Sequence, residues 1–178
     1  MKSEMRYAAI AAMLIAAVFA GSVSAATATG TFTVSLTVNK TCVVNTTSAS
    51  NITLPAVNAG AATTQTSGTF TVNCSNLTPF YVGLQPSGSS TTGAGTLKGG
   101  IGNTSTIPYQ LYQGGSGTTI WGNTATTSSV GNGMSGTGAG MSSAKAVSFN
   151  VSANTTGTNS TDVQPDTYSD TVTINVNF

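Results

Sequence analysis

The stretch that decides the fold is TATGTFTVSLTVN, residues 27–39. Every odd-numbered position in it carries Thr, Ser or Asn, and every even-numbered position from Phe32 to Val38 carries a large apolar side chain. Successive side chains of a β-strand point to opposite faces, so this alternation predicts a strand with one apolar face and one polar face. The segment favours an all-β protein.

The same period of two returns along the rest of the chain. It is found at Phe70–Cys74, Phe80–Gln85, Ile107–Gln113, 147–152 and Tyr168–Phe178. A weaker strand, broken by Pro55, is expected at Ile52–Val57. The Gly-rich stretches are expected to form a long hairpin or irregular connection between residues 86 and 106, and a surface segment between 122 and 143. About seven strands without a helical period predict a single β-sandwich domain.

The N-terminus has the features of a secretory signal peptide. Lys2 and Arg6 precede an apolar run from Tyr7 to Gly21, which is shorter than the roughly 20 residues that span a bilayer. Small residues at 23–25 suit a signal peptidase. We therefore expect residues 1–25 to be a cleaved signal peptide, 26–38 to be a separate N-terminal strand, and 39–178 to be the sandwich domain.

Composition excludes several classes of function. The chain has no His, which removes the base of the common Ser and Cys catalytic dyads and a frequent metal ligand. Five basic and four acidic residues are too few to bind a nucleic acid backbone. The patterns Gly131-x-Gly133-x-x-Gly136 and Ser142-x-x-Lys145 occur without the helices that their chemistry requires. No enzyme activity, cofactor or metal site is predicted.

Only two cysteines are present, Cys42 and Cys74. Both lie in the exported part of the chain, where an oxidising compartment permits a disulfide. We expect them to be joined.

Three carboxylates, Asp162, Asp166 and Asp170, precede or begin the last predicted strand. They are interpreted as a polar turn, although a calcium cluster or a carboxylate pair for glycoside cleavage would use the same residues. By its position in the alternation, Asp170 shares the inward face with Tyr168 and Val172.

Several elements together resemble the spore coat U domain family, which includes subunits of archaic chaperone-usher pili. They are the alternating N-terminal strand, Cys42 just after it, Ser67–Cys74, Tyr109–Tyr112, Trp121-Gly122 and the terminal stretch Tyr168–Phe178. One departure is Pro165-Asp166-Thr167-Tyr168, where relatives often have Pro-Gly-x-Tyr.

The resemblance implies an incomplete immunoglobulin-like β-sandwich that is completed by a donated strand. A periplasmic chaperone lends that strand first, and an identical or related subunit later replaces it at an outer-membrane usher. The donor residues would be Gly30, Phe32, Val34 and Leu36. The acceptor groove and chaperone contact would involve Tyr168, Val172, Ile174, Val176 and Phe178.

The function implied is therefore a fimbrial subunit at the cell surface that serves adhesion and biofilm formation. The last predicted strand runs to the final residue, so its open edge is expected to need a partner from elsewhere. Two alternatives stay open. One is a secreted, monomeric β-sandwich module that binds glycans through Tyr109, Tyr112 and Trp121, and the other is a spore or cyst coat protein.

Overall fold

The computed structural model describes residues 25–178. The chain divides after Thr37 into two units, of which Val38–Phe178 is the larger. The described residues contain eight strands: β1 (Cys42–Asn45), β2 (Thr66–Cys74), β3 (Pro79–Pro86), β4 (Ala94–Lys98), β5 (Thr106–Gln113), β6 (Met134–Thr137), β7 (Val147–Thr155) and β8 (Val172–Asn177). Short 3-10 helices span Ser48–Ser50 and Ser143–Lys145. Between residues 25 and 178, no helix has the length and apolar character needed to cross a membrane.

The strands form two antiparallel sheets. One sheet has the order β1-β2-β7-β5-β4, and the other has the order β6-β3-β8. The predicted all-β, immunoglobulin-like sandwich class is confirmed. The core contains four aromatic side chains, Phe70, Phe80, Trp121 and Phe149, and four pairs among them have ring centroids 5.6 to 6.1 Å apart.

The predicted disulfide joins the two strands at one side of the larger sheet. Cys42 lies directly opposite Cys74 in the β1–β2 ladder, and the two residues are bonded. Cys74 is fully buried, so the bond ties the edge strand β1 to the core. This prediction is confirmed.

Two strands lie in the Gly-rich regions where no clear strand was expected. In β4, a Cβ on Gly95 would lie 2.2 Å from Tyr109 Cζ, and in β6 a Cβ on Gly136 would lie 2.4 Å from Phe80 Cζ. These glycines leave space for aromatic rings of the neighbouring strands. The apolar signal of β4 and β6 is weak because the side chains that cover them belong to other strands.

Two of the strands expected from the sequence differ in the structure. Residues 52–57 form no strand, and the last strand is confined to Val172–Asn177 instead of 168–178. Before β8, the chain crosses to the other sheet, where Ser169 and Lys98 exchange both backbone hydrogen bonds at 2.9 and 3.0 Å. The predicted signal peptide lies, apart from Ala25, outside the described residues.

Candidate functional site

An open groove runs along the inner face of the larger sheet, with a cavity volume of about 950 Å³. Its floor is apolar. It includes Phe70, Leu84, Leu111, Val151 and Ala153, which are all buried in the core. The first wall of the groove is the stretch from Val163 to Ile174, and the second wall is formed by residues 50–59.

The first wall includes β8, which pairs only with β3 among the described strands. Leu84 of β3 lies opposite Ile174 but donates its N–H to Gly122 O, so Leu84 and Ile174 are not a hydrogen-bonded pair. Two residues along, Val172 lies opposite Pro86, which has no N–H. The main-chain groups of Val172 and Ile174 therefore point toward the open edge of the sheet.

The second wall is the segment that the sequence predicted as a weak strand. Ile52 and Leu54 are half-buried and line the groove, whereas Asn51, Thr53 and Pro55 are exposed. Within residues 25–178, no backbone–backbone hydrogen bond involves residues 51–57. The alternation of a strand is present here without a neighbour to pair with, which is why the prediction of a strand was wrong. The groove thus lies between two stretches of main chain that have unused hydrogen-bonding groups.

One mouth of the groove, at the start of β8, is polar. The Tyr109 hydroxyl donates a hydrogen bond to Asp170 Oδ2 at 2.7 Å, and the Thr171 N–H donates to Asp170 Oδ1 at 2.8 Å. Burial of Tyr109, together with this carboxylate, raises the pKa of the phenol well above its ordinary value. Tyr109 therefore remains a donor at neutral pH.

The Asp170 carboxylate is held in its charged form. Partial burial works against the charge and by itself would raise the pKa of this group. Hydrogen bonds from Ser87, Tyr109 and the Thr171 N–H outweigh that penalty, so the pKa of Asp170 lies below its usual value. The inward position predicted for Asp170 agrees with its contact with the buried Tyr109.

A second carboxylate stands at the same mouth. Asp166 is exposed and accepts hydrogen bonds from the Asn103 side chain at 2.9 Å and from the Gly100 N–H at 2.8 Å. These bonds lower the pKa of Asp166. Asp166 and Asp170 are the charged residues among those that line the groove. Lys98, whose main chain pairs with Ser169, is exposed and is not part of the lining.

The five residues predicted to border the acceptor groove are placed differently from one another. Tyr168, Val172 and Ile174 line the groove. Val176 packs against the core at the far end of β8. Phe178 differs from the prediction, since it follows the last residue of β8 and is 41% exposed.

The predicted donor residues lie in a segment that forms no strand. Residues 25–41 have no regular secondary structure, and Phe32, Val34 and Leu36 are each more than four-fifths exposed. A Cβ on Gly30 would meet no atom within 4 Å. This segment therefore presents a continuous apolar face that the described chain does not cover.

Sequence reasoning missed the second wall and most of the floor. The alternation of Ile52 and Leu54 could have indicated the wall, but Pro55 suggested a broken strand instead.

The aromatic residues considered for glycan binding are mostly interior. Trp121 is fully buried and donates its Nε1–H to Val82 O at 2.9 Å, and Tyr109 is 4% exposed. These two rings are part of the core and form no exposed platform.

Comparison with known families identifies the domain. The model of the Spore Coat Protein U domain matches residues 28–175. The chain belongs to the Spore Coat Protein U domain family. The match begins within the exposed N-terminal segment and ends within β8, so this Spore Coat Protein U domain includes both the predicted donor residues and the groove.

No curated protein sequence matches this Spore Coat Protein U domain chain. Among solved structures, it is similar to a chain of the CsuC–CsuE chaperone–tip adhesion subunit pre-assembly complex from archaic chaperone-usher Csu pili of Acinetobacter baumannii. The sequence identity is 20% and the TM-score is 0.48. The similarity covers 80% of the present chain but 40% of the solved one, so the present chain spans less than half of that chain's length.

Proposed function

We propose that this chain is a structural, non-enzymatic subunit of a surface pilus that is assembled by donor-strand exchange. The observation that carries the proposal is the apolar groove between the open edge of β8 and the unpaired main chain of residues 51–57. Such a groove is what remains when one strand is left out of a sandwich. A strand placed in it would hydrogen bond with the chain on either side and bury alternate side chains beneath it.

The donor in this proposal is the segment 26–38 of another copy. Its exposed Phe32, Val34 and Leu36 have the period that a strand lying over the groove requires. Burying each of these side chains would contribute about 1.5 to 3 kcal/mol. The donor surface and the acceptor surface are different parts of the chain, so the contact is head-to-tail and repeats into a filament.

Before assembly, the same groove would be occupied by a strand of a periplasmic chaperone, and an outer-membrane usher would be the place of exchange. Val176, Asn177 and Phe178 would belong to the chaperone contact, because Phe178 is exposed directly after β8 and Val176 and Asn177 are only partly buried. The subunit would pass through the periplasm to the cell surface, where the filament would serve adhesion and biofilm formation. Membership in the Spore Coat Protein U domain family supports this assignment.

The proposal is tested with the double substitution Val34→Thr and Leu36→Thr. Thr keeps the preference for a strand but removes apolar area from the donor face. We expect the variant subunit to accumulate when a chaperone is co-expressed, and to form no SDS-resistant ladder and no filaments by electron microscopy. Expression without a chaperone should lead to degradation or aggregation of the wild-type subunit.

The matched control carries Ile101→Thr and Val130→Thr, which remove similar side chains from exposed positions outside the segment. This control should assemble like the wild type. Normal filaments from the Val34 and Leu36 variant would refute the donor assignment. A stable wild-type monomer that needs no chaperone would instead support a secreted module that acts alone.

A further inference from the structure

The N-terminal segment joins the sandwich at one end, and the acidic mouth of the groove lies at the other. Cys42 is opposite Cys74, the last residue of β2. Asp170 binds Tyr109, which is opposite Thr155, the last residue of β7. Because β2 and β7 are antiparallel neighbours, their last residues mark opposite ends of the sheet.

These positions restrict how a second copy can insert its segment. Lys40 lies two residues before Cys42, so it stays at the mouth through which the segment enters. Entry at the Asp170 mouth brings the Cys42 end of one copy to the Asp170 end of the next, and this contact repeats without closing. Entry at the other mouth would bring two Cys42 ends together and close the assembly as a pair. A filament therefore requires Lys40 to be near Asp170, with the inserted strand antiparallel to β8.

The charges at this mouth are complementary. The groove is lined by Asp166 and Asp170 and by no basic residue. Lys40 is the only charged residue between positions 26 and 41, and it is exposed. The groups that hydrogen bond to the Asp170 carboxylate, namely Ser87, Tyr109 and the Thr171 N–H, are all neutral, so none of them neutralises its charge.

The alternation of residues 32–40 defines the register in which the donor strand would pair with β8. Lys40 has the same parity as Phe32, Val34, Leu36 and Val38, so it lies on the donor's inward face. In an antiparallel pair that places Val38 opposite Val172, the next inward residue, Lys40, is opposite Asp170.

A shift by two residues in either direction breaks the match. One shift places the Lys40 ammonium opposite Val172, and the other places Val38 opposite Asp170. Each of these leaves a charged group facing an apolar side chain at the mouth, which is unfavourable.

We propose that Lys40 of the incoming copy pairs with Asp170 and thereby sets the direction and register of the donor strand. This inference rests on the proposed function and names the residues that align its two surfaces. The pair lies at the mouth, where the donor strand passes from the groove toward its own β1. It therefore selects one alignment, while the apolar side chains supply most of the affinity.

The test uses the chaperone complex of the Val34→Thr, Leu36→Thr chain, whose own segment does not compete, and measures binding of synthetic peptides of residues 26–41 as they replace the chaperone in the groove. We expect Lys40→Gln in the peptide to weaken binding roughly two- to fivefold, the range for a cross-strand charge pair, and Lys40→Glu to weaken it further. The matched control exchanges Lys40 and Thr41, which keeps the net charge but turns the ammonium to the other face. It should bind like the Lys40→Gln peptide.

The groove variant is Asp170→Asn, which retains an acceptor for the Tyr109 hydroxyl. With this variant, the unchanged and Lys40→Gln peptides should bind equally, as expected for a double-mutant cycle. Should the variant fold poorly, the wild-type groove still gives an answer, because the advantage of Lys40 must shrink in 1 M salt. Equal binding of the unchanged, Lys40→Gln and Lys40→Glu peptides to the wild-type groove at low salt overturns the pair but leaves donor-strand exchange intact. Failure of every peptide to bind overturns both.

Discussion

The sequence Gly-Thr-Phe-Thr-Val occurs twice in this protein, at residues 30–34 and 68–72, in opposite surroundings. In β2, Phe70 is 3% exposed and Val72 is fully buried, whereas Phe32 is 89% exposed and Val34 is 85% exposed. β2 lies between β1 and β7, but residues 25–41 belong to no strand. The five residues are identical, so the difference in burial comes from the segments that surround each copy.

The comparison separates what a strand pattern encodes from where the strand is used. The alternation indicates that one face of the strand will be buried, but it does not indicate which segment will bury it. In the proposed assembly, the first copy of the motif is covered by the groove of another molecule, whereas the second is covered by the rest of its own domain. Substitutions at matching positions of the two copies should therefore affect folding in one case and assembly in the other.

The largest difference is expected for the two phenylalanines. Phe70→Ala should lower the free energy of unfolding by about 3 to 5 kcal/mol, because Phe70 packs against Phe149 and Trp121 in the core. Phe32→Ala should leave the stability of the subunit unchanged and reduce filament formation. Denaturant unfolding of subunits whose groove is filled by a wild-type peptide of residues 26–41, with electron microscopy of assembled material, measures both effects. A similar loss of stability in the two variants would contradict the comparison.

The next effect concerns the disulfide, which ties β1 to the second copy of the motif. The Cys42→Ser, Cys74→Ser variant should lose about 3 to 4 kcal/mol of stability, given the separation of 32 positions between the half-cystines. Denaturant unfolding of the variant and the wild type measures the loss. Thiol labelling of the denatured, unreduced wild type should detect no free cysteine, and two labelled thiols per chain would disprove the bond.

The two glycines of the motif give a smaller difference. A Cβ on Gly68 would lie 2.7 Å from Ser50 O, so Gly68→Ala should force the backbone apart and cost about 1 to 3 kcal/mol. Gly30 has open space around it, so Gly30→Ala should not destabilise the subunit. Thermal unfolding of the two variants tests this order. Equal melting temperatures would mean that the Ser50 segment moves aside without cost.

The smallest effect is a pH dependence at the mouth of the groove. The pKa of Asp170 is lower in the folded protein than its usual value, so its contribution to stability is present at neutral pH. That contribution is lost as the pH falls from the unfolded pKa, about 3.9, through the lower folded value. Asp170→Asn should therefore lose less stability than the wild type between pH 6 and pH 3. Identical acid unfolding curves for the two proteins would show that Asp170 does not contribute.

The strands that the sequence predicted well are those whose alternation is carried by their own side chains. The buried Phe70, Phe80 and Phe149 mark β2, β3 and β7, and these strands form the centre of the fold. β4 and β6 were not predicted, because Gly95 and Gly136 are required by the rings of Tyr109 and Phe80 on neighbouring strands. The residue pattern of a single strand does not show that a ring from a neighbouring strand needs this space.

The candidate site was predicted in part. Val172 and Ile174 followed from alternation, and so did the inward position of Asp170. The opposite wall did not, since Ile52 and Leu54 have the pattern of a strand but no neighbour in the described chain. The proposed Lys40–Asp170 alignment depended on knowing that Cys42 and Asp170 lie at opposite ends of the sheet.

The sequence by itself determined the β class, the two faces of each strong strand and the single possible disulfide. These features depend on the chemistry of each residue and on a period of two, both of which are local. Only the tertiary structure decided which Gly-Thr-Phe-Thr-Val copy is buried, which glycines make room for rings, and where the groove lies. Burial and strand pairing arise between segments that are distant in the chain, so the same local sequence can be core in one place and exposed surface in another.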